Sequence, residues 1–128
     1  MVKKRSIRIA VADDESTFRQ MLVRVLGQLG YDVVCAASNG ADLIENCRQV
    51  KIDLAIVDLD MPILDGLAAA EFVSNDGIPV ILVSGHSDSE YVVPEHEPIA
   101  ARLCKPFSVD DLQKAIDAAL TDATICDG

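Results

Sequence analysis

Short, uninterrupted apolar runs separated by segments of helical spacing constrain this chain more than any other feature. Ile7–Ala12 (IRIAVA), Asp32–Ala37 (DVVCAA), Leu54–Val57 (LAIV), Val80–Val83 (VILV) and a weaker Ala101–Cys104 (ARLC) read as strands. Several are apolar throughout rather than alternating, the pattern of strands covered on both faces of a parallel sheet. Between them, Phe18, Met21, Leu22, Val25, Leu26 and Leu29 fall on one helical face, and Gly30 stops that helix. Leu43, Ile44, Cys47 and Val50 mark a second helix opened by Ser38-Asn39-Gly40, and Gly66 to Ser74 a short third. Val109, Leu112, Ala115, Ile116, Ala119 and Leu120 predict an amphipathic last helix, with Ser108 and Asp111 spaced as a capping box.

Strands and helices that alternate through short connections predict an α/β fold, a doubly wound five-stranded parallel sheet with right-handed crossovers. Ligands of such sheets bind at the carboxyl ends of the strands, at a switch point in strand order. A length of 128 residues, half of them apolar, suits one domain with one core. Residues 1–121 are expected to form it, with 122–128 as a polar tail. No apolar run approaches the roughly 20 residues of a membrane-spanning helix. The opening MVKKRS has the basic character of a signal peptide, but the apolar run behind it stops at Asp13-Asp14, so a cytoplasmic location is expected. Four widely spaced cysteines without a C-x-x-C pair read as reduced, mostly buried small hydrophobes. A net charge of −10 would repel phosphates, which argues against direct contact with nucleic acid or anionic membrane and leaves proteins and cations as partners.

The strand ends supply the candidate site. Asp13 and Asp14 follow the first strand, Asp58 the third, Ser84 the fourth and Lys105 the fifth. Alone, each has an ordinary explanation: Asp13-Asp14 suits a helix start, Ser84-Gly85 a turn, Lys105-Pro106 a solvated loop, Asp65-Gly66 a turn. Together they fall on one edge of the sheet. Three carboxylates there would repel one another, and burial would raise their pKa values. Magnesium (Mg²⁺), a hard cation that takes oxygen ligands from one or two carboxylates and keeps several waters, removes that conflict. Asp14 and Asp58 with a backbone carbonyl fit it, and Mn²⁺ is the other ion the set would accept. Asp58 then becomes a nucleophile towards a phosphoryl group, with Lys105 as a second positive charge and the Ser84 hydroxyl as donor.

Two families use an aspartate in this local setting. AIVDLDMPILDG, residues 55 to 66, offers the Asp-x-Asp of haloacid-dehalogenase hydrolases, with Asp60 as acid/base. That resemblance fails on chain order, because the obvious acidic pair precedes the nucleophile here and Asp110-Asp111 is better explained as capping carboxylates. Met61-Pro62 also stands where those enzymes carry Gly-Thr, and the chain has no room for their cap segments.

From about Ile7 to Leu120 the chain instead resembles the receiver domain of bacterial response regulators. The matching residues are Asp13-Asp14, DLDMPILDG (58–66), Ser84-Gly85, Lys105-Pro106-Phe107 and SNGADLIE (38–45). The resemblance implies a flavodoxin-like (βα)5 sheet in the order 2-1-3-4-5. It implies Asp58 as phosphoacceptor, Asp14 as direct metal ligand, Asp13 acting through water and the Asp60 carbonyl as third protein ligand. Lys105 would bind the phosphoryl group, with Ser84-Gly85 beside it and Ser84 turning inward. The donor would be a sensor histidine kinase or a histidine phosphotransfer protein, and the output a change on a face read by an unidentified downstream protein. The domain would be a switch rather than a metabolic enzyme, contributing to its own phosphorylation and dephosphorylation. Family members also pair as homodimers through the fourth and fifth helices and the strand between them.

The chain departs from the family at three places. Arg102 holds the position of an aromatic switch residue. Pro94 and Pro98 predict a short or irregular fourth helix, about Ser87 to Val93. Asp60 and His86 flank the acceptor where side chains tune the lifetime of an acyl phosphate, while His96 reads as surface. A different class of function, a degenerate receiver that binds a partner without phosphate, would ordinarily lack the acceptor, the acidic pair or the lysine. All are present.

Overall fold

The computed structural model describes residues 7–59, 66–85 and 99–127, with backbone alone at 66–67 and 121–127. The chain order is β1 (Arg8–Ala12), α1 (Ser16–Gln28), β2 (Asp32–Ala37), α2 (Gly40–Gln49), β3 (Leu54–Asp58), α3 (Gly66–Ser74), β4 (Val80–Ser84), β5 (Ala101–Cys104) and α4 (Val109–Asp127). The five strands form one parallel sheet in the order β2-β1-β3-β4-β5, as the resemblance implies. The order reverses beside β1, because β1 pairs with both β2 and β3. Four helices lie among the described residues. The expected helix around Ser87 to Val93, with Pro94, His96 and Pro98, lies outside them.

Alternate residues of the apolar strands serve different cores. Ile9, Val11, Leu54, Ile56, Ile81 and Val83 point to the face covered by α1 and α4, where Leu22, Leu26, Leu112 and Ile116 meet them. Ala10, Ala12, Ala55, Val57 and Val80 point to the other face, under Leu43 of α2 and Ala69, Ala70 and Val73 of α3. Period-2 geometry alone produces that division, and it explains why the strands read as unbroken apolar runs. Large side chains fill one face and small ones the other, so α2 and α3 sit over an alanine-rich floor.

Helix ends follow local chemistry. Gly30 takes φ +97°, which a side chain would resist. The Tyr31 amide then donates to the Leu26 carbonyl and the Gly30 amide to Gly27, a Schellman closure of α1. Asn39 caps α2 by accepting from the Asp42 amide at 2.8 Å. The predicted box at α4 is present in both directions: the Asp111 amide donates to Ser108 Oγ at 3.0 Å, and the Ser108 amide to Asp111 Oδ2 at 3.2 Å. α4 continues to Asp127, so the backbone of the expected polar tail is helical up to that residue.

The cysteines divide by exposure. Cys35 is buried, Cys47 half-buried and Cys104 exposed, all as free thiols. Burial, then the Asp42 carboxylate, pushes the Cys35 thiol up. Burial pushes Cys47 to about 11, with Cys35 and Asp76 adding to it. Among the described residues no helix is long and apolar enough to cross a membrane.

Candidate functional site

The carboxyl edge of the sheet brings the predicted residues together through strand register. Ala12 of β1 pairs with Val57 of β3, so the next residues, Asp13 and Asp58, stand side by side. Asp58 in turn pairs with Val83, and Ser84 with Cys104. Main-chain hydrogen bonds continue past the strand ends. The Asp13 amide donates to Ala37 at 3.0 Å, Leu59 to Val83 at 2.7 Å and Lys105 to Ser84 at 2.7 Å.

Asp13 and Asp58 are 2% and 4% exposed, a degree of burial carboxylates rarely reach without partners. Lys105 supplies one, its Nζ lying 3.1 Å from Asp13 Oδ2 and 4.0 Å from Asp58 Oδ2. The other oxygen of Asp13 accepts from the Glu15 amide at 2.9 Å, and its carbonyl accepts from Arg19 Nη1 at 2.7 Å. Asp14 is exposed on the rim. One carboxylate oxygen from each of Asp13, Asp14 and Asp58 lies within 4.8 Å of the others. One ammonium does not balance three carboxylates at this separation, so the cluster suits a divalent cation with oxygen ligands.

Ser84 is buried at the end of β4, and Gly85 follows it at the surface. A Cβ at Gly85 would meet nothing within 4 Å among the described residues. Arg102 is exposed on β5, opposite Leu82, and lines an open groove of about 480 Å³ with Cys104, Phe107, Asp111 and Lys114. Asp60, with its carbonyl, and His86 lie outside the described residues.

A feature not read from the sequence is the aromatic ring on the lysine. Lys105 Nζ sits 4.1 Å from the centroid of Phe18, whose ring meets Phe107 edge-to-face at 5.7 Å and 88°. In the sequence Phe18 is only the first apolar position of a helix. Its contact with Lys105, 87 positions away, depends on how α1 packs on the sheet, which residue spacing does not encode.

The doubly wound sheet carries an acidic trio and a lysine together at its carboxyl edge. The family model of the response regulator receiver domain matches residues 9–117, and the chain belongs to that family. The transcriptional regulatory protein PdtaR of Mycobacterium tuberculosis is 35% identical over 116 residues, which cover 89% of this chain and 57% of that protein. The chain thus spans little more than half the length of that relative. A receiver domain protein from Clostridium thermocellum superposes with a TM-score of 0.83 at 28% identity, over 94% of this chain and 98% of that one. The Thermotoga maritima response regulator TrrA, solved in complex with Mg²⁺-BeF, superposes at 0.78 with 27% identity, over 89% and 99%.

Proposed function

We propose that the chain is a phosphoacceptor switch of a two-component phosphorelay, taking a phosphoryl group on Asp58 in the presence of Mg²⁺. One observation carries the proposal: Asp13, Asp14 and Asp58 offer oxygens within 4.8 Å of one another, and a lysine from the far end of the chain reaches in between two of them. Asp13, Asp14, Asp58 and the Asp60 carbonyl would hold the ion. When bound, Mg²⁺ neutralises charge on the carboxylates and on the incoming phosphoryl oxygens.

The residues of the chain do the rest. Asp58 Oδ attacks phosphorus as the bond to the donor's leaving group breaks, giving an aspartyl phosphate. Lys105 moves from Asp13 towards the new phosphoryl oxygens, and the Ser84 hydroxyl donates to one of them, with the Gly85 amide beside it. Asp60 and His86 set how readily water reaches the acyl phosphate, and Arg102 takes the place of an aromatic at the switch position. The donor is a sensor histidine kinase or a histidine phosphotransfer protein in the cytoplasm. The output is a population shift on a face that a downstream protein reads, with self-association as one form of it.

Intact mass after incubation with acetyl phosphate and Mg²⁺ tests this. Wild type should gain one phosphoryl group, which decays with time or hydroxylamine; Asp58→Asn should gain none, and EDTA should prevent the gain. No adduct in wild type, from acetyl phosphate or from a range of histidine-kinase donors, would leave a degenerate receiver that binds its partner without phosphate.

A further inference from the structure

We propose that Phe18 is a positioning residue for Lys105: its ring holds the ammonium beside the acceptor, and phosphoryl uptake slows when the ring is removed. The inference rests on the phosphoacceptor reading above and assigns a residue to it outside the acidic trio, the hydroxyl and the lysine. The ammonium lies 4.1 Å from the ring centroid, within the range of a cation–π contact, while also lying 3.1 Å from Asp13 and 4.0 Å from Asp58. The contact pairs a charged group with a neutral one. A carboxylate in place of the ring would compete with phosphoryl oxygens for the lysine. An aliphatic side chain would offer no attraction and would not define where the flexible four-carbon stem ends. The ring attracts the cation through a neutral π face that competes for its N–H groups less strongly than an oxygen would.

Phe18 is itself held on several sides. It lies in the first turn of α1, and that turn is tied to the acidic pair by Arg19 Nη1 on the Asp13 carbonyl at 2.7 Å and by the Glu15 amide on Asp13 Oδ1 at 2.9 Å. The edge-to-face contact with Phe107 fixes the plane of the ring, and both rings pack on the α1–α4 core. Phe107 stands two residues beyond Lys105, so the loop carrying the lysine carries the ring that orients its clamp.

The test uses the 128-residue chain with Phe18→Leu, Phe18→Tyr and Lys105→Met, alone and in combination. Phosphorylation by acetyl phosphate with Mg²⁺ should slow on the order of fivefold in Phe18→Leu and recover to within about twofold of wild type in Phe18→Tyr. Mg²⁺ affinity should fall in neither variant, because the ring supplies no oxygen ligand to the ion. In the Lys105→Met background, Phe18→Leu should produce no further slowing. Independently of phosphorylation, the Lys105 ε-methylene protons should resonate upfield of ordinary lysine in wild type and Phe18→Tyr, and return to the ordinary position in Phe18→Leu.

An ordinary lysine shift in wild type would overturn the proposal. So would an unchanged rate in Phe18→Leu while wild type takes up phosphate, a result that leaves the phosphoacceptor reading standing. Equal losses in the Tyr and Leu variants, with weaker Mg²⁺ binding, would show a merely structural role. If wild type takes up no phosphate, the functional reading falls and the phosphoryl role of Phe18 falls with it.

Discussion

Lys105 Nζ stands 3.1 Å from Asp13 Oδ2 but 4.0 Å from Asp58 Oδ2, so the lysine is held more closely by the acceptor's neighbour than by the proposed acceptor. The ammonium is parked beside Asp58, held there by Asp13 and by the ring of Phe18. Two nearly buried carboxylates share it, and each is a like charge to the other.

The first expectation follows from that imbalance. Asp58→Asn removes one buried negative charge at nearly constant volume and leaves the closer Asp13–Lys105 pair in place. Without Mg²⁺ the variant should be more stable than wild type by about 1 kcal/mol in urea unfolding at neutral pH. Added Mg²⁺ should stabilise wild type by mass action and the variant much less, closing the gap. A less stable variant without Mg²⁺ would mean that Asp58 gains more from its partners than it loses to Asp13.

Removing the lysine has the opposite sign. Lys105→Met leaves Asp13 and Asp58 buried without their ammonium, and the lysine side chain is only 20% exposed. Unfolding free energy should fall by about 2–4 kcal/mol at neutral pH. Adding Asp13→Asn to Lys105→Met should recover part of that loss, because it removes one of the two charges left without the ammonium. No recovery in the double variant would point to lost stem packing instead.

At the start of α4, Ser108 and Asp111 satisfy each other's amides. Ser108→Ala should cost about 1 kcal/mol, the usual value for an N-cap hydroxyl. Phosphoryl uptake should be unaffected, since no site residue depends on that hydroxyl.

Exposure of Cys104 and the raised, less accessible thiols of Cys35 and Cys47 set the expected order of reactivity. At pH 7.5 Cys104 should react quickly with iodoacetamide, while Cys35 and Cys47 stay unmodified until the chain unfolds, as peptide mapping would show. With its thiol raised to about 11 in the folded chain against an ordinary 9.0, Cys47 favours folding fully below about pH 9. That contribution is lost as pH rises from 9 towards 11. Cys47→Ala should therefore flatten the decline in stability across that window.

Much of this was legible in the sequence because short strands buried on both faces leave an unmistakable pattern. All five strands fall where the apolar runs predict, with β3 and β4 each one residue longer and β1 one shorter. Their extensions end in Asp58 and Ser84, which pair in the sheet although they are polar, and hydropathy alone stops short of them. Asp13, Asp58, Ser84 and Lys105 could be placed at one edge because chain order fixes which strand ends meet. The aromatic clamp could not, since Phe18 looks like any core-facing helix residue until α1 is docked. The unequal faces of the sheet escaped as well: alternation was masked by alanines that count as apolar yet leave room for a helix to approach.

The ladder that runs past the strand ends also separates inheritance of the frame from inheritance of the chemistry. Asp13, Leu59 and Lys105 are pinned by their own main-chain amides, to Ala37, Val83 and Ser84. Such bonds survive any substitution except to proline. A descendant of this chain could thus exchange its acceptor in a single step and keep the main-chain ladder that frames the site. Loss of the lysine is the costlier step, so divergence here would change the acceptor more readily than the cation beside it.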